Sequence, residues 1–207
     1  GTGSLRFTPD GRWLLAAFAS GIRALPMTTG ADPRTISTLD SNWHNPMAVE
    51  PSGRTLAVGL NRGRLHLIDL ESGVSRALTG FSERTGIGAV AFGDGGKLLA
   101  AATGVGPRDE KVVRVFDLQR GTVSTSSPFP GAGNGFEGRV PMLTFDGTAR
   151  VLALVEGTGL VSVDIASGTS TLVMTQPNTR VALMPDHRSG VGLQVRDAAG
   201  RSSVLGF

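Results

Sequence analysis

The chain has no cysteine and no tyrosine, only three histidines in 207 residues, and aromatic side chains at 5%. Without cysteine there is no disulfide framework, no thiolate metal site and no cysteine nucleophile, and nothing fixes the redox compartment. No apolar run approaches the roughly 18 residues that a membrane-spanning helix needs. The opening GTGSLRFTPDG lacks the apolar core of a signal peptide. Long charge runs of one sign are also missing: 20 Lys and Arg are interspersed with 17 Asp and Glu, for a net charge of +3. The sequence pI near 10.5 reflects that small excess in a chain with no Cys or Tyr to titrate. A nucleic-acid binder would gather about six to ten basic side chains on one face, so neither nucleic acid nor membrane is expected as a partner. The chain lacks an initiating Met and starts in a strand-like phrase, which predicts a piece cut from a longer protein. Its compartment stays open, with the cytoplasm as the default.

Reactive clusters are equally scarce. His44, His66 and His187 are the only histidines, and none stands in a metal-type spacing such as HxxxH. His66 alternates with Leu65 and Leu67, as a histidine between packed sheets would. No GxSxG elbow, complete GxGxxG or Walker loop is present. GDGGKLL has Leu98 where a phosphate loop needs Ser or Thr for Mg²⁺. No cofactor and no metal is expected, and the chain reads as a non-enzyme.

What is abundant is punctuation. Thirty glycines and 11 prolines, with 40% hydrophobic residues, suit many short strands joined by tight turns and predict an all-β chain. The turns repeat. FTPDGRWLLAA at 7–17 returns as FGDGGKLLAAA at 92–102. The same strand–turn–strand phrase starts near Phe7, Val49, Phe92, Phe145 and Leu183, at intervals of 42, 43, 53 and 38 residues. A second phrase, an alternating strand ending in Asp with Gly four residues on, occurs in RLHLIDLESG, VVRVFDLQRG and LVSVDIASG. Each part has a physical reason. Around Asp10 and Gly11, Pro presets φ, Asp bonds nearby amides and Gly takes a positive φ. Asp69, Asp117 and Asp164 anchor a second turn, which Gly73, Gly121 and Gly168 complete in the left-handed region. Asp94 and Asp146 occupy the first turn on other repeats, so they read as turn formers and not as ligands.

Four short strands per 40 to 50 residues are the blades of a β-propeller. The chain here resembles the WD-repeat (WD40-like) family. FTPDGRWLLAA looks like its strand a, turn and strand b, and KVVRVFDLQRG like its strand c, with Phe116 and Asp117 at the Trp-Asp position. Ile68-Asp69 and Val163-Asp164 match only the Asp, and the Gly-His pair before strand a is missing because Gly80 precedes Phe81. GLVSVDIASG is also similar to YVTN-type propeller repeats. The expected organisation is one propeller domain or partial domain over 1–207, with blades near 1–40, 41–80, 81–126 and 139–176 and a partial fifth at 177–207. The preferred reading is a fragment of a six- to eight-bladed ring, and a closed five-bladed ring is the alternative.

The repeat breaks at GVGPRDEK (104–111), SSPFPGAGNGFEGR (126–139), DSNWHNP (40–46) and GFSERTGIG (80–88). The resemblance implies that such b–c and d–a loops share a face. Exposed aromatics and arginines dominate binding hot spots, so Trp43, Phe81, Arg84, Arg108, Phe129, Phe136 and Arg139, with His44 at the rim, are the expected partner-binding residues. The alternative for the aromatics is that they plug gaps between blades. The expected function is a non-catalytic scaffold for a protein or peptide. The alternatives are a propeller enzyme of the lactonase or quinoprotein type and a small-molecule or carbohydrate binder.

Overall fold

The computed structural model describes residues 4–18, 20–39, 45–135, 138–175, 181–186, 190–196 and 202–206, the last three segments as backbone alone. Four antiparallel sheets of four strands follow one another along the chain. The first contains β1 (Leu5–Phe7), β2 (Trp13–Phe18), β3 (Gly21–Pro26) and β4 (Arg34–Ser37), and the second β5 (Met47–Val49), β6 (Thr55–Gly59), β7 (Leu65–Asp69) and β8 (Ser75–Leu78). The third contains β9 (Gly86–Gly93), β10 (Leu98–Val105), β11 (Val113–Asp117) and β12 (Thr122–Thr125), and the fourth β13 (Met142–Asp146), β14 (Arg150–Val155), β15 (Gly159–Asp164) and β16 (Ser170–Thr175). Three further strands, β17 (Val181–Asp186), β18 (Gly190–Arg196) and β19 (Ser202–Gly206), pair as one meander.

In each of the four complete sheets the strands pair in chain order. The first strands of successive sheets, β1, β5, β9 and β13, contact one another in sequence. That arrangement is an up-and-down blade with its first strand innermost, repeated around an axis. It is a β-propeller architecture.

Blades adhere through flat apolar faces. Leu15, Ala17, Ile22 and Ala24 of the first blade pack on Met47, Leu56 and Val58 of the second. Ala57, Leu65 and Leu67 of the second meet Leu99, Ala101 and Phe116 of the third. Ala100, Ala102 and Val113 of the third meet Val151, Ala153 and Val161 of the fourth. The small side chains of the second strand in each blade let the sheets approach closely, and burial of these faces supplies the stabilisation.

The Asp-anchored turns repeat in atomic detail. Asp69 Oδ1 accepts from the backbone amides of Glu71 at 3.1 Å and Ser72 at 2.8 Å. Asp117 Oδ1 does the same for Gln119 at 3.0 Å and Arg120 at 2.8 Å, and Asp164 Oδ1 accepts from Ser167 at 2.7 Å. The amides of Gly73, Gly121 and Gly168 close the turns onto the Asp carbonyls at 2.8, 2.8 and 2.9 Å, with φ of 72°, 69° and 71°. In the first-type turn, Asp10 Oδ1 accepts from the Thr8 hydroxyl at 2.6 Å and the Arg12 amide at 3.0 Å, and Gly11 has φ 69°.

Candidate functional site

Because all strands within a blade are antiparallel, the loops joining second to third strands emerge on the same edge as those joining one blade to the next. In the second and third blades these loops are bonded to one another. The Gly63 amide donates to the Thr85 carbonyl at 2.6 Å, linking 60–64 to 80–86. The Ser82 hydroxyl donates to Glu110, and Arg84 lies 3.9 Å from the same carboxylate, linking 80–86 to 106–112. That third loop carries a short 3₁₀ turn, Arg108–Glu110, and leaves the sheet where the β9–β10 register slips around Thr103, as a bulge allows.

The junction of 106–112 with 126–139 is the most heavily bonded. Gly106 and Gly135 exchange backbone hydrogen bonds at 3.3 and 3.0 Å, and the Arg108 amide donates to Asn134 Oδ1 at 3.0 Å. The Phe129 amide donates to the Lys111 carbonyl at 2.9 Å. Lys111 is fully buried, with its Nζ donating to the Gly104 carbonyl at 2.9 Å and the Gly135 carbonyl at 2.8 Å. Burial pushes its pKa below the usual lysine range. Four loop segments thus form one continuous surface.

Phe81, Arg84 and Arg108 lie on this surface. Phe81 is half-buried, its ring 6.5 Å from that of Phe116 and beneath the Arg114 guanidinium at 5.1 Å. Arg84 and Arg108 are exposed. Arg139 is half-buried and grips Glu156 with two bonds of 2.8 and 3.2 Å. Phe129 corrects the expectation of an exposed aromatic: it is 3% exposed in the core between the third and fourth blades. Its loop folds back under itself through the bond to Lys111, which puts the ring in the gap-filling role. Trp43, His44 and Phe136 lie outside the described residues.

On the axis side of the same face, a cavity of about 610 Å³ opens where the innermost strands begin. Arg6, Arg62, Arg84, Arg139 and Asn45 line it. Arg62 holds a positive φ of 56°, a conformation disfavoured for a residue with a β-carbon. Sequence reasoning missed Lys111, Asn45, Arg6 and Arg62, because the repeat pattern marks turns and strands but not which loop residues meet across blades.

Elsewhere the chemistry is sparse. His66 is half-buried, with burial foremost and then the Arg64 charge lowering its pKa, and its Nδ1 has no partner among the described residues. No group of three or more His, Asp or Glu side chains gathers as metal ligands among the described residues. Nor is any helix there long and apolar enough to cross a membrane.

No family model matches the chain. Over 120 residues it is 29% identical to the WD repeat-containing protein SL1-17 of Schistosoma mansoni, a match covering 58% of this chain and 38% of the relative. The chain therefore spans less than half the length of that curated relative. The β-propeller domain of Cps50 (Swd1) from Myceliophteria thermophila superposes with a TM-score of 0.66 at 16% identity, covering 98% of this chain and 69% of that one. The fold is that of a β-propeller. The repeat that builds it, with Asp-anchored turns in the second, third and fourth blades, resembles that of WD-repeat proteins.

Proposed function

We propose that the chain is a non-catalytic scaffold that binds a protein or peptide through the loop face of its propeller. The observation that carries this reading is the bonding of loops 60–64, 80–86, 106–112 and 126–139 into one surface. The last three of these depart from the repeat in sequence, yet they are held by bonds between blades instead of being left as independent loops. A pre-ordered surface loses less conformational entropy on binding. Phe81, Arg84, Arg108 and Arg139 supply the residue types that dominate interfaces, and Trp43, His44 and Phe136 are proposed to join them. The WD-repeat likeness supports a protein partner.

A photo-crosslinking amino acid placed at Arg108, and separately at the exposed Gln119 on the opposite edge, tests this in a native lysate. Discrete crosslinked proteins are expected from position 108 and not from 119. Equal products from both, or products from 119 alone, would remove the loop face as the site.

We further propose that this chain is part of a larger ring. Leu5 and Phe7 on the innermost strand of the first blade are 46% and 60% exposed, although the same faces of the later blades are covered by a neighbour. A further blade packed there would bury them.

A further inference from the structure

The cavity at the entrance to the propeller axis has a charge pattern that the repeat does not require. Four arginines line it, but they are not equivalent. Arg84 lies against Glu110 at 3.9 Å, and Arg139 is held by Glu156 at 2.8 Å. Arg6 gives one N–H to the neighbouring Leu5 carbonyl at 2.7 Å and has no carboxylate partner among the described residues. Arg62 has no ion pair or hydrogen bond there either. Among the described residues Glu83 is the one acidic side chain lining the cavity. Two unpaired cations against one carboxylate give the mouth an excess of positive charge.

A second observation is independent of charge. Asn45 is 3% exposed, lines the same cavity, and its buried Nδ2 has no acceptor among the described residues. A buried amide donor without a partner is costly unless an acceptor reaches it. Arg62 adds a third feature, since its disfavoured φ of 56° holds the chain at the cavity rim, and backbone strain of this kind collects at ligand sites.

We propose that this cavity takes an acidic peptide segment of the partner protein, its carboxylates held by Arg6 and Arg62 and a further oxygen of the segment accepting from Asn45 Nδ2. The proposal rests on the scaffold reading and names the chemistry of its partner. Guanidinium forks match carboxylates in geometry as well as charge, and a carboxylate or peptide carbonyl is the acceptor that Asn45 lacks. The lining favours a peptide over other anions. Among the described residues it contains no aromatic side chain on which a base or sugar ring would stack. A net excess of about one positive charge is also far below the several phosphate contacts on which nucleic-acid affinity depends. The cavity opens on the surface built by the clasped loops, so a bound segment would run outward over Arg84 and Arg108.

A random peptide library displayed on phage, selected on the immobilised chain, tests the proposal. Recovered peptides are then labelled with fluorescein and titrated against the wild type and against an Arg6→Gln/Arg62→Asn variant whose thermal melt is matched. Asn tolerates a positive φ at position 62, so the single Arg62→Asn variant keeps the test open if the double variant unfolds. Enrichment in Asp and Glu is expected, with affinity at least tenfold weaker for the variant, about 1.4 kcal/mol, and falling as salt rises. Neutral or basic peptides, no enrichment, acidic peptides that bind the variant equally well, or tighter binding of a labelled poly(U) RNA through the same arginines would overturn it. If crosslinking from position 108 persists under any of those results, only the acidic-peptide proposal fails. If crosslinking is lost as well, the scaffold reading fails with it.

Discussion

Lys111 Nζ stands 2.8 Å from the Gly135 carbonyl oxygen, in a position with no solvent exposure and with no carboxylate among its hydrogen-bond partners in the described residues. The side chain crosses from one variable loop to another, and its second bond, to Gly104, fixes the base of its own loop. Lys111→Met would keep the aliphatic stem and remove the bonds to the Gly104 and Gly135 carbonyls, leaving the latter with the Gly106 amide alone. A loss of about 2 kcal/mol is expected, with faster hydrogen exchange at the Gly106 and Gly135 amides. Unchanged exchange at those amides would show that the loops are held without the lysine.

The same lysine has a pH signature. Burial lowers its pKa in the folded chain, so between that lowered value and the ordinary value of about 10.4 the unfolded chain binds more protons than the folded one. Stability therefore rises with pH through this window. Urea titrations of the wild type and Lys111→Met at a series of alkaline pH values should show the wild type gaining on the variant as pH increases. A constant difference would mean that the amine is not desolvated.

The turn carboxylates act at the other end of the pH scale and with the opposite sign. Asp69, Asp117 and Asp164 are each held below the usual carboxylate range, foremost by backbone amides: those of Ser72, Arg120 and Ser167. Their contribution is present above the unfolded value of about 3.9 and is lost as pH falls through the depressed folded values. Asp117→Asn keeps an acceptor for the turn but removes the titration. Its stability should fall less steeply than that of the wild type on acidification, as read from urea midpoints. Parallel acid limbs would detach this carboxylate from the stability of the fold.

What was legible in the sequence was what a local turn demands. An Asp whose side chain caps the amides two and three residues on, followed by a glycine at positive φ, needs fixed residue types at a fixed spacing. Asp117 and Gly121 therefore reveal a hairpin without any knowledge of its neighbours. The apolar strands between such turns, at a period of 40 to 50 residues, then lead to blades. The candidate site was only half legible. Arg84 and Arg108 read correctly as exposed, since they sit among Ser, Glu and Asp in segments that break the repeat. Phe129, flanked by prolines, looked equally exposed but is buried, because a backbone bond to Lys111 turns its loop inward. Contacts between segments some 25 residues apart leave no periodic trace, so the Lys111 clasp and the unpaired Asn45 amide emerge only in three dimensions.

The turn glycines differ in what surrounds them, and this separates backbone strain from packing between blades. A β-carbon on Gly121 would meet nothing within 4 Å, whereas one on Gly168 would stand 2.7 Å from the Thr125 carbonyl oxygen of the third blade. Both have the same left-handed φ. Gly121→Ala should cost about 1–2 kcal/mol from conformation alone. Gly168→Ala should add roughly 1–3 kcal/mol for displacing the neighbouring strand. Thermal melts of the two variants make the comparison, and equal losses would mean that the contact between the blades yields freely.

Phe129 and Arg108 lie in adjoining loops but should fail in different ways. Phe129 is packed in the core with Val140, Val155 and Ala132, so Phe129→Ala opens a cavity and should cost about 3–5 kcal/mol. Arg108 is exposed, and its hydrogen bonds run through the main chain, its amide donating to Asn134 Oδ1 and its carbonyl accepting from the Lys111 amide, so they survive truncation of the side chain. Arg108→Ala should change stability by no more than about 0.5 kcal/mol while weakening binding to whatever protein crosslinks from the loop face. The two properties are measured separately, stability by urea denaturation and binding by titration with that protein. If Arg108→Ala binds as well as the wild type while Phe129→Ala is destabilised as expected, the blades are correctly built but the binding surface must be drawn elsewhere on the loop face, away from the 3₁₀ turn that carries Arg108.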